Sequence, residues 1–296
     1  MISRILVPLD GSESAEAVLP YVRTLLDGME AEVVLLRAVD PPAAVMNGFY
    51  PVLTAAEDAA RDYLCSVEGN LRGAGVRVRS VLRSEGAITA ILDEASRPDV
   101  ALVAMATHGR TGLPHLLLGG VCEGVLRQTR VPVLALRPFR SPGFRRVDSG
   151  KAPAFRNVLV PLDASSPSLS ILPVACAFAK RFDARLVLVH VLDPRKAALA
   201  LVGGDERSRG RDEAPPLETA AQQCALEGLR SRIVVESGRV SDRILSLARS
   251  EDVDLIAMTT HGRSSFSRFV FGSVSGDVLG RAEAPLLLCR EDPHRD

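Results

Sequence analysis

Residues suited to holding an anionic ligand occur twice in this sequence, in matching order. One set reads Met258-Thr259-Thr260-His261-Gly262-Arg263, then eight residues, then Gly272-Ser273-Val274-Ser275. The other reads Met105-Ala106-Thr107-His108-Gly109-Arg110, then eight residues, then Gly119-Gly120-Val121-Cys122. A glycine at a strand exit lets the backbone approach a ligand with no Cβ in the way. A second glycine opening a helix leaves the first N–H groups without an internal acceptor, and such an end favours anions. No Asp or Glu lies between Ala106 and Cys122 or between Thr259 and Ser275, whereas Arg110, Arg263 and Arg268 are present. Phosphate fits this chemistry. The plain alternative is a turn followed by a glycine-started helix.

A second pair of candidates closes an apolar run near the start of each half: Pro8-Leu9-Asp10 and Pro161-Leu162-Asp163, followed by Gly11-Ser12 and Ala164-Ser165. A carboxylate there can accept from an amino or hydroxyl group of a ligand. Asp and Ser are also turn-formers and helix caps. Ligand contact is assigned to Asp10 and Asp163, capping to Ser12 and Ser165. His108 and His261 titrate near neutrality, but the sequence places no nucleophile or orienting carboxylate beside them, so a positioning role is expected.

These residues are carried by a repeat. The differences 163−10, 261−108 and 272−119 each give 153, and one constant spacing over more than a hundred residues means two copies of a domain. In the first copy, nearly continuous Val/Leu-rich runs at Ile2–Leu9, Val33–Val39, Val76–Leu82, Val100–Met105 and Pro132–Leu136 predict strands buried on both faces. Helices are predicted over Ser14–Leu26, Thr54–Arg72, Ala87–Ser96 and Gly119–Gln128. The second copy predicts strands near 157–162, 185–192, 232–236, 253–258 and 285–289. Strand–helix alternation implies right-handed crossovers and a parallel sheet covered on both sides. The fold expected is α/β, two tandem doubly wound Rossmann-like domains of five parallel strands each. Their bounds are 1–138 and 156–292, joined by a linker over 139–155 rich in Arg, Pro and Gly. Ligands bind such sheets outside the carboxyl ends of the strands, where strand order reverses; that point falls after strands one and four, where the motifs lie.

Composition narrows the function. The 36 Lys+Arg and 36 Asp+Glu cancel, which removes the field that draws in nucleic acid or an anionic membrane. With 4% aromatics and no Trp, stacking platforms for single strands are not expected. The five cysteines show no C-x-x-C, as reduced thiols would be distributed, and no apolar run approaches the ~18 residues of a membrane span. A cytoplasmic location is expected.

The Val-Pro-Leu-Asp strand end together with Gly-x2-Gly-x9-Gly resembles the universal stress protein family in its tandem two-domain form, over nearly the whole chain. The resemblance implies an adenine nucleotide alpha hydrolase-like fold and, in the family's ATP-binding branch, adenine near the end of strand one with phosphates on the glycine loop. It maps the backbone contact to adenine onto Ala38 and Val191, the nucleoside contact onto Asp10 and Asp163, and the phosphate loop onto the two glycine motifs. Two departures stand out. The family's first motif glycine falls on Ala106 and Thr259, and in copy one Gly120 and Cys122 replace the hydroxyl residues Ser273 and Ser275. Copy two is therefore expected to be the better site.

The leading expectation is an ATP-binding module, possible Mg²⁺ accompanying the nucleotide, that signals by occupancy to a protein partner. There is no G-x4-G-K-[S/T] loop, and the glycine loops supply no carboxylate for metal or base work, so a binder is favoured over an evolved catalyst. A slow ATP hydrolase and a nucleotide-free interaction scaffold are the alternatives. Pairing of the two domains as an intrachain pseudo-dimer, and a homodimer beyond it, would cover the last strands' open edges.

Overall fold

The computed structural model describes residues 3–40, 51–107, 119–138, 152–163, 165–193, 215–260 and 272–290. The chain divides into two compact units, Met1–Pro153 and Ala154–Asp296. In the first, the strands are β1 (Arg4–Pro8), β2 (Glu32–Ala38), β3 (Arg77–Arg83), β4 (Val100–Ala106) and β5 (Val133–Leu136). They lie in the order β3-β2-β1-β4-β5 and every pair is parallel. The second unit repeats this with β6 (Asn157–Pro161), β7 (Arg185–Leu192), β8 (Ser231–Ser237), β9 (Leu255–Thr259) and β10 (Leu286–Cys289), in the order β8-β7-β6-β9-β10. The direction of travel reverses between strands one and four in both units, which puts β1 beside β4 and β6 beside β9.

Helices cover the sheets. Among the described residues they are α1 (Glu13–Glu16), α2 (Leu19–Leu26), α3 (Pro51–Gly73), α4 (Ala87–Ala95) and α5 (Gly120–Gln128), then α6 (Ser166–Leu169), α7 (Leu172–Phe182), α8 (Pro215–Leu226), α9 (Val240–Ser250) and α10 (Ser273–Arg281). Central strands read as unbroken apolar runs because both faces are covered: Ile5, Leu6 and Val7, like Val158, Leu159 and Val160, have no accessible surface. Each such side chain contributes ~1.5–3 kcal/mol on burial. Among the described residues no helix is long and apolar enough to cross a membrane.

Two expectations shift. The single helix expected over Ser14–Leu26 is two, α1 and α2. Pro20 has no N–H and its ring would meet the carbonyl of Glu16, so the helix stops and restarts with proline in its first turn. Pro173 does the same between α6 and α7. The linker expected over 139–155 also ends early. Phe155 is buried, its ring 4.9 Å from Phe178 and 5.0 Å from Phe182, so it belongs to the core of the second unit. Residues 139–151 lie outside the described residues.

The outer strands differ between units. Beneath the 23-residue α3, Ser80 of β3 bonds Glu68. Beside the 12-residue α8, β8 leaves Ile233 37% and Val235 50% exposed. On the other face of β3, the fully buried Glu94 of α4 holds Arg79 (2.7 Å), Arg83 (3.2 Å) and Arg97 (3.1 Å). Glu94→Gln removes the charge that these bonds need. It is expected to cost about 1–3 kcal/mol of stability, read as a lower urea midpoint with the slope unchanged.

Candidate functional site

The strand-one exits are built alike. In the second unit the Leu162 amide donates to Val189 O at 2.8 Å, holding the chain against β7 for one residue beyond β6. Asp163 then folds a turn: its Oδ1 accepts from the Ser165 amide (3.0 Å) and hydroxyl, and its own amide donates to Ser168 Oγ at 3.2 Å. In the first unit Asp10 Oδ1 accepts from the Ser12 amide (3.0 Å) and hydroxyl (2.6 Å), with Gly11 at φ +81°; that left-handed φ is what glycine supplies. Ser12 Oγ accepts from Ala15 N and Ser165 Oγ from Ser168 N, so both serines are caps. Each aspartate thus commits one oxygen to shaping its own turn.

A feature not singled out from the sequence sits on strand two. Arg37 Nη1 donates to Leu9 O at 3.4 Å, and His190, buried, has Nδ1 2.7 Å from Leu162 O. The two side chains are 153 residues apart and each fastens the carbonyl just before the strand-one aspartate. The signal was a basic residue at the same place in two otherwise apolar runs. In the first unit the Arg37 guanidinium also lies 5.8 Å from the Tyr63 ring centroid, and the Tyr63 hydroxyl donates to Glu16 at 2.9 Å. Burial, then the bond to Glu16, pushes the Tyr63 hydroxyl well above the usual phenol range. Ala38 and Val191 lie at the carboxyl ends of β2 and β7, one residue further on.

At the strand-four exits Met105, Ala106 and Thr107, like Met258, Thr259 and Thr260, are buried. The Thr107 amide donates to Leu136 O and the Thr260 amide to Cys289 O, fixing each exit to the last strand. His108, Gly109 and Arg110, with His261, Gly262 and Arg263, lie outside the described residues. The described ends of the two loops are joined alike: Gly119 N donates to Thr107 O and Gly272 N to Thr260 O, each 2.9 Å. The first intrahelical bonds follow, Glu123 N to Gly119 O (3.0 Å) and Gly276 N to Gly272 O (2.8 Å). Neither helix has a side-chain cap. The amides of Gly120, Val121 and Cys122, and of Ser273, Val274 and Ser275, therefore precede the first helical bond and have no acceptor within the helix.

Gly272 has an internal reason to be glycine. A Cβ there would sit 2.6 Å from Thr260 O and 3.0 Å from Ser275 Oγ, although its φ of −59° suits any residue. At Gly120 a Cβ would meet nothing within 4 Å. Ser275, grouped with the ligand donors on sequence, has an inward hydroxyl, 3.0 Å from Thr260 O and 2.9 Å from Gly272 O, and is 2% exposed. It ties Thr260 to Gly272, the described residues on either side of the loop. Its counterpart Cys122 is equally buried, and burial pushes that thiol up to about 12, so it remains neutral. The mouths also differ in charge: α5 carries Glu123 in its first turn and α10 carries no acid there. Ser273 and Val274 reach the surface at the α10 mouth, as Gly120 and Val121 do at α5.

The universal stress protein family model matches residues 1–137 and 154–290. The chain belongs to the universal stress protein family. Among relatives, universal stress protein Rv2623 of Mycobacterium tuberculosis is 26% identical over 306 residues, covering 97% of this chain and 96% of its own. The universal stress protein in the QAH/OAS sulfhydrylase 3'region of Thermus aquaticus is 32% identical over 137 residues, 46% of this chain and 99% of its own. A universal stress protein from Archaeoglobus fulgidus DSM 4304 shares the fold with a TM-score of 0.75 at 22% identity, over 99% of this chain and 100% of that one.

Two outcomes follow from the geometry. Gly272→Ala is expected to destabilise the second unit by about 1–3 kcal/mol, as overpacking against a backbone oxygen does, whereas Gly120→Ala leaves stability equal or up to ~1 kcal/mol higher; urea unfolding of the two variants checks this. Because burial also lifts Cys289 to about 12, iodoacetamide at pH 8 is expected to modify the exposed Cys65 and leave Cys122 and Cys289 intact in the folded protein, as peptide mapping reads.

Proposed function

We propose that this universal stress protein is an adenine-nucleotide-binding signalling module, with the second unit its stronger site. The observation carrying the proposal is the uncapped mouth of α10, whose Ser273, Val274 and Ser275 amides have no helical acceptor, in a first turn free of acid. Charge-assisted bonds run ~1.5–3 kcal/mol each, so three amides give ~5–9 kcal/mol gross, the scale of the ~8 kcal/mol that micromolar affinity requires. In this reading the phosphates meet Gly262, Gly272, the Ser273 hydroxyl and the amides after it. Arg263 adds charge and His261 positions the loop. The nucleoside lies toward Asp163 and the Val191 backbone. Any Mg²⁺ accompanies the phosphates.

The first unit is the weaker site in this proposal. Gly120 removes the hydroxyl that Ser273 supplies, and the Glu123 carboxylate lies in the turn a phosphate would approach, where a like charge opposes it. Its nucleoside contacts would be Asp10 and the Ala38 backbone, with Gly109, Gly119 and Arg110 at the phosphates.

Calorimetric titration of the full chain with ATP tests both parts. The expected result is one tighter and one weaker site, with Ser273→Ala weakening the tighter one five- to tenfold and Gly120→Ser with Glu123→Gln strengthening the other. No binding heat, together with no nucleotide released on denaturing the purified protein, overturns the reading in favour of a nucleotide-free scaffold. A larger loss from Gly120→Val than from Ser273→Ala reverses the ranking of the units.

A further inference from the structure

We propose that Cys176 and Cys224 form a reversible disulfide, a peroxide-responsive cross-link between α7 and α8 that is independent of any nucleotide. The two sulfurs lie 3.7 Å apart on adjacent helices, although 48 residues separate them in the chain. A disulfide is about 2.05 Å long, so each sulfur needs to move by less than an ångström, within the reach of small side-chain rotations. The Lys180–Glu227 ion pair (2.8 Å) spans from α7 to the end of α8 and holds the helices in register around the thiols. The pair is confined to the second unit: the positions 153 earlier are Arg23 and Leu71.

The pair divides the chemistry between its members. A thiol that donates to its neighbour favours the neighbour's thiolate and resists losing its own proton. The S–H···S contact, in which either sulfur can be the donor, draws the Cys224 thiol below its usual value, while the same contact and burial push Cys176 up. Cys224 is accordingly the attacking sulfur and Cys176 the resolving one. The Cys224 thiolate attacks one oxygen of a hydroperoxide, the O–O bond breaks, and the other oxygen leaves with a proton as water or alcohol, giving a sulfenic acid. The Cys176 sulfur then attacks the Cys224 sulfur, the S–O bond breaks, and water leaves with the Cys176 proton. Two thiols lose two electrons in all, and one peroxide is reduced.

Cys176 is 1% exposed and Cys224 has no accessible surface, so oxidation passes through local opening of α8. The outer flank is the thinly covered one: Leu226 at the end of α8 is 89% exposed and the adjoining β8 leaves Ile233 and Val235 in solvent. Opening of this kind is a rare excursion at the edge of a domain, which makes the switch slow and selective for sustained oxidant. Once formed, the cross-link restricts the unfolded chain over its closed loop and stabilises the second unit.

The test uses the full chain carrying Cys65→Ser, which removes the exposed thiol and leaves four. After exposure to hydrogen peroxide, the protein is denatured with a maleimide present, digested and mapped. The expected outcome is a fall from four free thiols to two in a monomeric chain, with one cross-linked peptide joining 176 to 224. Dithiothreitol restores all four, and the oxidised form melts several degrees higher. Cys224→Ser in the same background should keep its three thiols under conditions that oxidise the parent. Four thiols surviving prolonged exposure, sulfinic or sulfonic acid at either position without the cross-link, or cross-links to Cys122 or Cys289 would each overturn the proposal.

Discussion

A single close approach, repeated in both units, organises the site: the carbonyl at the exit of strand four against the glycine amide that opens the next helix. The bond is 2.9 Å in each case, and at Gly272 it leaves no room for a Cβ. A parallel sheet ends in a row of carbonyls and amides that need partners. Satisfying this carbonyl with the helix-opening amide pulls the helix mouth to the carboxyl edge of the sheet, next to the strand-one turn. The same contact starts the helix at the glycine, so the following three amides have no acceptor within the helix. In the second unit the glycine serves the protein's own backbone: a Cβ at Gly272 would meet the Thr260 carbonyl oxygen.

Much of this is legible in the amino-acid sequence. The 153-residue repeat, the unbroken apolar strands and the glycine-opened helices follow from elementary patterning, and the reversal of strand order follows from the connection rules. The parts that were not legible have specific physical causes. Pro20 lies in a run with helical periodicity, and only its clash with the carbonyl four residues back shows that the helix must break. Ser275 looks like a ligand donor until its phase on α10 turns it inward. Arg37 and His190 are lone basic residues in apolar strands, and their task of fastening the strand-one carbonyl depends on a neighbour 28 residues away in sequence.

The two copies have kept this frame while exchanging the chemistry around it. Where α4 meets α5, Gly124 lies against Ile88, and a Cβ on Gly124 would overlap the isoleucine side chain. The positions 153 later are Asp277 and Ser241, which meet through a 2.5 Å hydrogen bond with Arg281 and Arg239 nearby. That hydroxyl bond first, and the Arg281 charge next among the favourable causes, holds the Asp277 carboxyl below its usual range. Apolar contact and polar network solve the same packing problem. The helix mouths diverge in the same way, one acquiring an acid in its first turn and the other a hydroxyl.

The outer strand of the second unit bears on survival in a crowded cell. Ile233-Val234-Val235 has the composition of a self-associating segment, and two of its side chains already face water. It is only three residues long and is bracketed by Arg232 and Glu236, whereas stacking into fibrillar sheets favours runs of about six or seven uncharged residues. Flanking charges of this kind act as gatekeepers. They let a strand margin remain uncovered while nascent or heat-shaken chains are kept from templating one another.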